Sequence, residues 1–329
     1  MGDRHSERCI AVTGCAGYVG SLVCANLLKR GYTVRGLDSL VYGGRAVLGL
    51  YQYGNFRFLN GDIRDEQVLR EALQGVDAVV HLAAIVGDPA CARQPEFARS
   101  VNLEGSLRLL KLSREQGVKQ LIFASTCSNY GRMADPTLYV CEESPLAPLS
   151  LYAETKVTVE NAFLAYDGIE PAITVLRFAT LFGVSPRMRF DLTVNEFTME
   201  LETRRKLVIF GEQFWRPYVH VRDAANAVVL ALTSPTRKVR GQVFNVGDTN
   251  HNYQKRQIVD LVRSQIPGNV DIESVQRNED PRDYRVSFEK IRRELNFQIT
   301  TAIEDGIREV LDIIRQKVIV NFEDAGYRN

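Results

Sequence analysis

The pair of residues best suited to chemistry is a tyrosine and a lysine four positions apart, Tyr152 and Lys156. Residues four apart lie on the same face of a helix, so the ammonium group can approach the phenol. A free phenol has a pKa of about 10, and a neighbouring positive charge favours its ionised form. The pair could therefore take a proton from a hydroxyl group while a hydride leaves the same carbon.

A third reactive side chain, Thr126, follows an apolar segment that predicts a buried strand over residues 120–124. Open α/β sheets bind their ligands at the carboxyl ends of the strands, and this threonine lies at such an end. Its hydroxyl could hold the reacting hydroxyl group in position by a hydrogen bond. We therefore predict Thr126, Tyr152 and Lys156 as the catalytic group.

A glycine-rich turn near the amino terminus predicts a dinucleotide site. Gly14, Gly17 and Gly20 lie between a strand pattern at 9–12 and a helical pattern at 19–28. The first glycine allows the tight turn, the second lets a pyrophosphate approach the backbone, and the third lets the helix pack closely on the strand. The helix then presents free N–H groups to the phosphates.

An acidic residue, Asp38, ends the second strand pattern, 18 residues after Gly20. This is the position of a carboxylate that accepts hydrogen bonds from the adenosine ribose. It would repel a 2′-phosphate, and Ser39 follows it rather than arginine or lysine, so we predict NAD rather than NADP. Asp62, after the third strand, is placed to receive the adenine amino group, or else it caps a turn.

The elements that must position these residues alternate between strand and helix through the first half of the chain. Strand patterns fall at 32–37, 56–59, 78–82 and 173–178, and a long helical pattern at 97–116. Such alternation predicts βαβ units in a parallel sheet, and the continuous apolar strands indicate helices on both faces. We predict an α/β fold, a doubly wound parallel Rossmann sheet with a smaller α+β substrate lobe.

The second half of the chain does not alternate between strand and helix throughout. Residues 179–217 are loop-rich, with a helix near 193–204 and a short strand at 207–210, whereas 219–231 and 243–246 return to the strand–helix pattern. We assign residues 1–178 with about 218–250 to the NAD-binding domain. The smaller lobe, which would bind the substrate, is then about 179–217 with 251–329.

At this point the chain resembles a known family. The motifs that carry the resemblance are Gly14/Gly17/Gly20, Asp38, Asp62, His81-Leu82-Ala83-Ala84, Asn102, Thr126, Tyr152/Lys156, Leu176-Arg177-Phe178, the segments 216–223 and 244–247, and 289–296. In this order they are similar to the extended short-chain dehydrogenase/reductases, and more narrowly to the NAD-dependent nucleotide-sugar epimerase/dehydratase family of the UDP-glucose 4-epimerase type. The resemblance covers about residues 8–313.

The resemblance implies roles for further residues. It implies that the amides of Tyr18 and Val19 face the pyrophosphate and that Lys156 binds the nicotinamide ribose beside Tyr152. The other implied cofactor contacts are Ser39, Ile63, Leu82, Ala83, Ala84 and Asn102. Arg216 and Arg277 fall where relatives clamp the substrate diphosphate, a task that suits guanidinium groups. Thr180 and Thr126 are the expected sugar contacts.

Three departures from the family bear on the reaction. Family 4,6-dehydratases have an Asp-Glu pair after the catalytic threonine, whereas Cys127 and Ser128 follow it here. Decarboxylases have a glutamate at the position of Ser128. The 4-epimerases have a substrate-contacting asparagine where this chain has Thr180. We predict an NAD-dependent epimerase, acting at C4 through a transient 4-keto sugar. Dehydratase, decarboxylase, 4-keto reductase and a non-catalytic NAD-binding regulatory protein remain alternatives, although such regulators usually lose the Tyr–Lys pair.

The composition excludes other classes. Among 329 residues, 41 Lys and Arg balance 40 Asp and Glu, which argues against a nucleic-acid partner. No apolar segment approaches the ~20 residues that span a bilayer. The six cysteines and the histidines show no metal-ligand spacing, and scattered cysteines indicate the cytoplasm. The helical patterns at 97–116 and 152–165 pair across a two-fold axis in the family, so we predict a homodimer that binds a nucleotide-diphosphate sugar.

Overall fold

The computed structural model describes residues 8–133, 135, 138–275 and 282–329. Within them the strands are β1 (Cys9–Thr13), β2 (Thr33–Asp38), β3 (Phe56–Asn60), β4 (Ala78–His81), β5 (Gln120–Thr126), β6 (Ala172–Phe178), β7 (Thr180–Phe182), β8 (Lys206–Phe210), β9 (Trp215–His220), β10 (Gln242–Val246), β11 (Asn252–Gln254) and β12 (Asp271–Val275). The helices are α1 (Gly20–Lys29), α2 (Arg45–Leu48), α3 (Glu66–Leu73), α4 (Asp88–Arg93), α5 (Pro95–Arg99), α6 (Ser106–Glu115), α7 (Leu151–Leu164), α8 (Thr193–Thr203), α9 (Val221–Thr233), α10 (Thr236–Val239), α11 (Lys255–Arg263), α12 (Glu289–Leu295) and α13 (Ile303–Arg315).

Seven strands form one parallel sheet in the order β10-β6-β5-β4-β1-β2-β3. Neighbouring residues of a strand point to opposite faces. Ile10 and Val12 accordingly enter one apolar cluster, and Ala11 enters the other. Helices cover both clusters, so the predicted doubly wound Rossmann sheet is confirmed. The strand order changes direction between β1 and β4, which is where such sheets bind a dinucleotide.

The helical pattern at 97–116 is not one regular helix. α5 leads into a π-helical stretch, Ser100–Gly105, before α6 begins. The buried Asn102 lies in this stretch, and its side chain accepts from the Ile85 amide at 2.7 Å and donates to the Ile85 carbonyl at 2.9 Å. The wide turn therefore holds the loop that follows β4.

The second half contains more strands than its loop-rich sequence suggests. β7 lies beside β9, and β11 completes a three-stranded sheet, while β8 and β12 pair in parallel. These small sheets, with α8, α11 and α13, enclose an apolar cluster of their own that includes Phe182, Tyr218 and Ile258.

Candidate active site

A cleft opens at the carboxyl ends of the main-sheet strands. Its lining includes the glycine-rich turn, the ends of β2, β4, β5 and β6, and one face of α7. The predicted site residues in its wall are Gly14, Gly17, Tyr18, Val19, Gly20, Asp38, Ser39, Asp62, Ile63, Leu82, Ala83, Ala84, Thr126, Tyr152, Lys156 and Thr180. The fold thus brings together the cofactor motif and the catalytic group, which are far apart in sequence.

α7 places Tyr152 and Lys156 in the cleft. Ser150 caps this helix, its hydroxyl accepting from the Ala153 amide at 3.3 Å. The buried Lys156 ammonium donates to the Ala124 carbonyl at 2.7 Å, and its Nζ atom is 5.9 Å from the centre of the Tyr152 ring. Burial lowers the pKa of Lys156 to about 8.

The phenol of Tyr152 is biased toward its neutral form in this cleft. Burial raises its pKa, and the nearby Cys91 thiol raises it further, whereas the Arg189 guanidinium lowers it. Because burial disfavours both the phenolate and the ammonium, a further positive charge beside Tyr152 is needed to favour ionisation. A cationic ligand in the cleft would supply that charge.

A buried ion pair fixes α7 against the sheet. Glu160, one turn after Lys156, pairs with Arg177 of β6, whose Nε donates at 3.0 Å. The same carboxylate accepts from the Ser125 hydroxyl at 2.7 Å. Ser125 precedes Thr126, so one network joins the helix that carries Tyr152 to the strand that carries the threonine.

Thr126 presents its hydroxyl at the end of β5. Its Oγ1 accepts from the Ser128 amide at 3.1 Å, which leaves the hydroxyl hydrogen for another acceptor. Ser128 also lines the cleft, whereas Cys127 is buried behind it and donates to the Arg177 carbonyl at 3.3 Å. Burial raises the pKa of the Cys127 thiol, so it stays protonated.

The glycine turn has the form that a dinucleotide needs. Gly14 has a φ of 75°, in the left-handed region that favours glycine. A Cβ on Gly20 would come within 2.0 Å of the Gly14 carbonyl oxygen, so the turn closes only with glycine there. The backbone of the turn thus faces the cleft without side chains in between, and α1 begins immediately after it.

Asp38 is held by the backbone next to this turn. Its Oδ2 accepts from the Ala16 amide at 3.0 Å and its Oδ1 from the Leu40 amide at 2.8 Å. Burial raises the pKa of this carboxyl. Asp62 differs, because Arg64 binds it through Nε at 3.0 Å and Nη2 at 2.7 Å and lowers its pKa.

Beneath the cleft, His81 connects β1 to the first residue of α6. Its Nδ1 lies 2.7 Å from the Thr13 hydroxyl, and its Nε2 lies 2.9 Å from the Ser106 hydroxyl. Ser106 donates its hydrogen to the Asn102 carbonyl, so Nε2 of His81 carries the proton and Thr13 donates to Nδ1. Asn102 is not among the residues that line the cleft; it acts on the loop above through Ile85.

The sequence analysis missed two buried arginines in the wall, Arg187 and Arg189. Arg189 binds Asp191 at 3.0 and 2.6 Å. Arg187 forms no salt bridge with any carboxylate in the described residues; it stacks on the Tyr42 ring at 4.3 Å. Burial and the neighbouring Arg189 lower its pKa to about 10. A cation in the wall near Asp38 fits the anionic pyrophosphate of a dinucleotide.

This cationic pair follows Pro186 in a loop after β7. The clustering of arginines was visible in the sequence, but their burial was not, because arginine is mostly exposed. Burial became visible only when the packing of the loop was known.

The structure describes one of the two predicted diphosphate contacts. Arg216 is buried, donates to the Trp215 carbonyl at 2.6 Å and lies 5.6 Å from the Tyr284 ring, outside the set of residues that line the cleft. Arg277 lies outside the described residues. Arg282 does line the cleft, where it pairs with Asp88 at 3.2 Å.

The two glutamates that follow Cys141 lie away from the cleft, whereas Asp88 lines it. Glu142 accepts from the Asn245 amide at 2.7 Å, and neither it nor Glu143 lines the cleft. No group of His, Cys, Asp or Glu among the described residues is arranged to hold a metal ion.

The fold is a dinucleotide-binding fold of the short-chain dehydrogenase/reductase type. It combines a doubly wound sheet, a glycine turn with an acidic residue on β2, and a Tyr–Lys pair in the same cleft as a threonine. The chain belongs to the NAD dependent epimerase/dehydratase family, whose model matches residues 10–247.

Known proteins of this family resemble the chain over nearly its whole length. The UDP-glucose 4-epimerase of Corynebacterium glutamicum is 30% identical over 324 residues, covering 90% of this chain and 94% of the relative. The structure of Thermus thermophilus UDP-glucose 4-epimerase in complex with NAD has a TM-score of 0.82 at 26% identity, over 94% of this chain and 99% of that chain. A dTDP-glucose 4,6-dehydratase of Streptomyces venezuelae, DesIV, has a TM-score of 0.83 at 25% identity, over 94% and 97%.

Proposed function

We propose that this protein is an NAD-dependent epimerase that inverts C4 of a nucleotide-diphosphate sugar through a transient 4-keto intermediate. The observation that carries the proposal is that Thr126, Tyr152 and Lys156 line one cleft with the glycine turn, without a carboxyl group at 127 or 128. Oxidation at C4 needs a base and a hydride acceptor, whereas loss of water also needs a general acid. At 127 and 128, where the dehydratases of the family carry an acid and a base, this chain has a thiol and a hydroxyl group.

NAD, when bound, accepts a hydride from C4 and returns it. The glycine turn and Arg187 would hold its pyrophosphate, Asp38 its adenosine ribose, Asp62 its adenine and Lys156 its nicotinamide ribose. The Thr126 hydroxyl orients the C4 hydroxyl of the sugar, and the Tyr152 phenolate removes the hydroxyl proton as the hydride departs. After the 4-keto sugar has turned, Tyr152 returns the proton to the oxygen as the hydride adds to the other face.

The nucleotide diphosphate must stay bound while the sugar turns. We propose Arg216 and Arg277 for this contact, together with Arg282, which lies in the cleft wall. Thr180 contacts the sugar. The named activity of the Corynebacterium relative supports a UDP-hexose as the substrate.

Product analysis with a panel of nucleotide sugars tests the function. Epimerisation leaves the mass unchanged and alters the C4 proton signal in NMR, without net consumption of NAD. In deuterated water no deuterium enters C4, because the hydride does not exchange with solvent. A mass loss of water or carbon dioxide, or deuterium at C3 or C5, would contradict the proposal.

Three further assignments belong to this proposal. Residues 1–178 with about 218–250 bind the cofactor, and about 179–217 with 251–329 bind the nucleotide sugar. Support comes from the main sheet, in which β10 joins the first six strands.

The protein works in the cytoplasm, which the six unpaired cysteines support. Within the described part of the chain, no helix is long and apolar enough to cross a membrane.

The protein is a homodimer. Leu107 on α6 is 39% exposed, and Leu103 in the π-helical stretch and Val157 on α7 are half-buried. An apolar surface on α6 and α7 supports a two-fold contact through these helices.

A further inference from the structure

The last described residues of the chain return to the cleft. Asn329 lines it, and its side-chain amide donates to the Val86 carbonyl at 3.2 Å. Its backbone N–H donates to Asp191 at 3.3 Å, and its carbonyl accepts from Arg93 at 2.8 Å. One residue thus connects the loop after β4, α4 and the loop after β7.

The residues just before it lie against the other side of the opening. The Arg328 carbonyl accepts from Arg187 Nη2 at 3.0 Å, and Arg187 stacks on Tyr42. A Cβ on Gly326 would lie 3.7 Å from the Tyr42 carbonyl oxygen. Residues 326–329 therefore cross from the loop after β2 to the loop after β4, over the side of the cleft where Asp38 and the glycine turn lie.

This segment is anchored in the second half of the chain. The Tyr327 carbonyl accepts from the Phe190 amide at 2.9 Å, and the two rings meet edge to face. Phe322 packs on the same Phe190 ring, in an apolar cluster with α13. Residues 326–329 are thus held by apolar packing on the side of α13 and by single hydrogen bonds on the side of the loop after β4.

Three buried polar atoms under and in the segment have no hydrogen-bond partner among the described residues. They are Nε of Arg187, Nε of Arg328 and Oδ1 of Asn329. Buried polar atoms are normally paired. Arg187 and Asn329 both line the cleft, and a guanidinium group beside an amide fits a ligand that offers an anionic oxygen and a hydroxyl group, as a dinucleotide does.

We propose that residues 326–329 form a strap over bound NAD, so that the cofactor leaves only after the strap lifts. This inference rests on the proposed function for its ligand. The strap retains a cofactor that must be reoxidised in place, because an epimerase reverses its own hydride transfer. It releases NAD when the contacts of Asn329 with Val86 and Arg93 break.

Exchange of bound NAD tests the strap. The purified chain is loaded with radiolabelled NAD and chased with excess unlabelled NAD, and the rate of label loss is measured without any sugar. Arg93→Ala removes one strap contact from outside the cleft, and we expect release about tenfold faster, the effect of one hydrogen bond. Asn329→Ala and removal of residues 326–329 should speed release at least as much.

Arg99→Ala is the matched control, because Arg99 is exposed on the neighbouring α5. It should release NAD at the wild-type rate. Melting temperatures identify any variant that has lost its fold. If Asn329→Ala or the shortened chain has lost it, the rate of NAD release from Arg93→Ala tests the strap by itself. Release rates equal to wild type in all folded strap variants would overturn the strap. A chain that exchanges NAD but does not epimerise would overturn only the proposed function, whereas a chain that retains no NAD would overturn both.

Discussion

At the scale of single residues, burial opposes the charges that catalysis needs. It raises the pKa of Tyr152 and lowers that of Lys156 to about 8, so it disfavours the charged form of both side chains. The positive nicotinamide ring would reverse this bias for Tyr152. The phenol of Tyr152 would therefore ionise mainly in the complex with NAD.

Replacing Tyr152 by phenylalanine should lower kcat by about 10²–10⁴-fold, the usual contribution of a general base. KM should change little, because the proton transfer is made in the transition state. Steady-state kinetics with the active nucleotide sugar measure both constants. Tyr166→Phe is the control, because Tyr166 lies just beyond the same helix and its hydroxyl donates only to the Glu170 carbonyl. Equal losses in the two variants would remove Tyr152 from the mechanism.

Replacing Asp38 by alanine should weaken NAD binding about tenfold, because the ribose hydroxyls lose their acceptor. NADP binding should weaken less, since a repulsive charge disappears along with that acceptor. Calorimetry with both cofactors gives the two affinities. Asp271→Ala, at an exposed site on β12, should leave them unchanged. Tighter binding of NADP than of NAD by the wild-type chain would contradict the assignment.

Much of the site was predictable at this scale because its motifs are local. The glycine spacing, the acid at the end of β2 and the Tyr–Lys pair each depend on a few neighbouring residues. Arg187 and Asn329 were not predictable, because their place in the wall depends on loop packing between distant segments. Arg216 is a different case: a family motif named it, it lies outside the set of residues that line the cleft, and its contact with the diphosphate stays a prediction.

At the scale of elements, two buried polar contacts connect helices to the sheet. Glu160 connects α7 to β6, and His81 connects β4 to β1 and to the first residue of α6. Periodicity predicted the elements but not these contacts, because the pattern records which face is apolar and not which polar group is paired. The irregular turn at Ser100–Gly105 was missed for the same reason, since its residues still repeat at helical intervals.

Replacing Glu160 by glutamine should lower the free energy of unfolding by about 3–5 kcal/mol, because Arg177 is left buried without its counter-charge. Denaturant titration measures the loss. Glu66→Gln breaks an exposed pair with Arg70 and should have little effect. If the two variants were equally stable, the pair would not be what holds α7 in place.

His81 makes stability depend on pH. Burial lowers its pKa to about 3, so the folded chain keeps it neutral while the unfolded chain protonates it near pH 6.5. The unfolded state then binds more protons, and stability falls as the pH drops below about 6.5; His81 accounts for about 2 kcal/mol of loss at pH 5.

His81→Gln should remove that share of the loss. Unfolding curves at pH 7.5 and pH 5 give the loss of unfolding free energy for the wild-type chain and for His81→Gln. His220, whose pKa burial lowers to about 4, keeps a loss of similar size in both proteins. An unchanged pH dependence in His81→Gln would show that this histidine is already charged in the folded chain.

At the scale of the whole molecule, the two halves of the chain meet in one cleft. The main sheet supplies the glycine turn and the catalytic group, while the loop after β7 and residues 326–329 supply Arg187, Arg189 and Asn329. The predicted boundaries assign these last residues to the sugar-binding lobe, yet they lie on the cofactor side. Movement of that lobe would therefore affect cofactor release as well as substrate binding.

The assembly is the remaining prediction at this scale. A two-fold contact through α6 and α7 places Leu107 of each copy near the axis, so Leu107→Glu introduces two charges into one apolar contact. We expect the wild-type chain to be a dimer at micromolar concentration and Leu107→Glu to be a monomer, as measured by light scattering after size-exclusion chromatography. Val208→Glu is the control, because Val208 has a similar exposure of 37% but lies on β8. A monomeric wild-type chain, or dissociation by Val208→Glu instead, would place the contact elsewhere or exclude it.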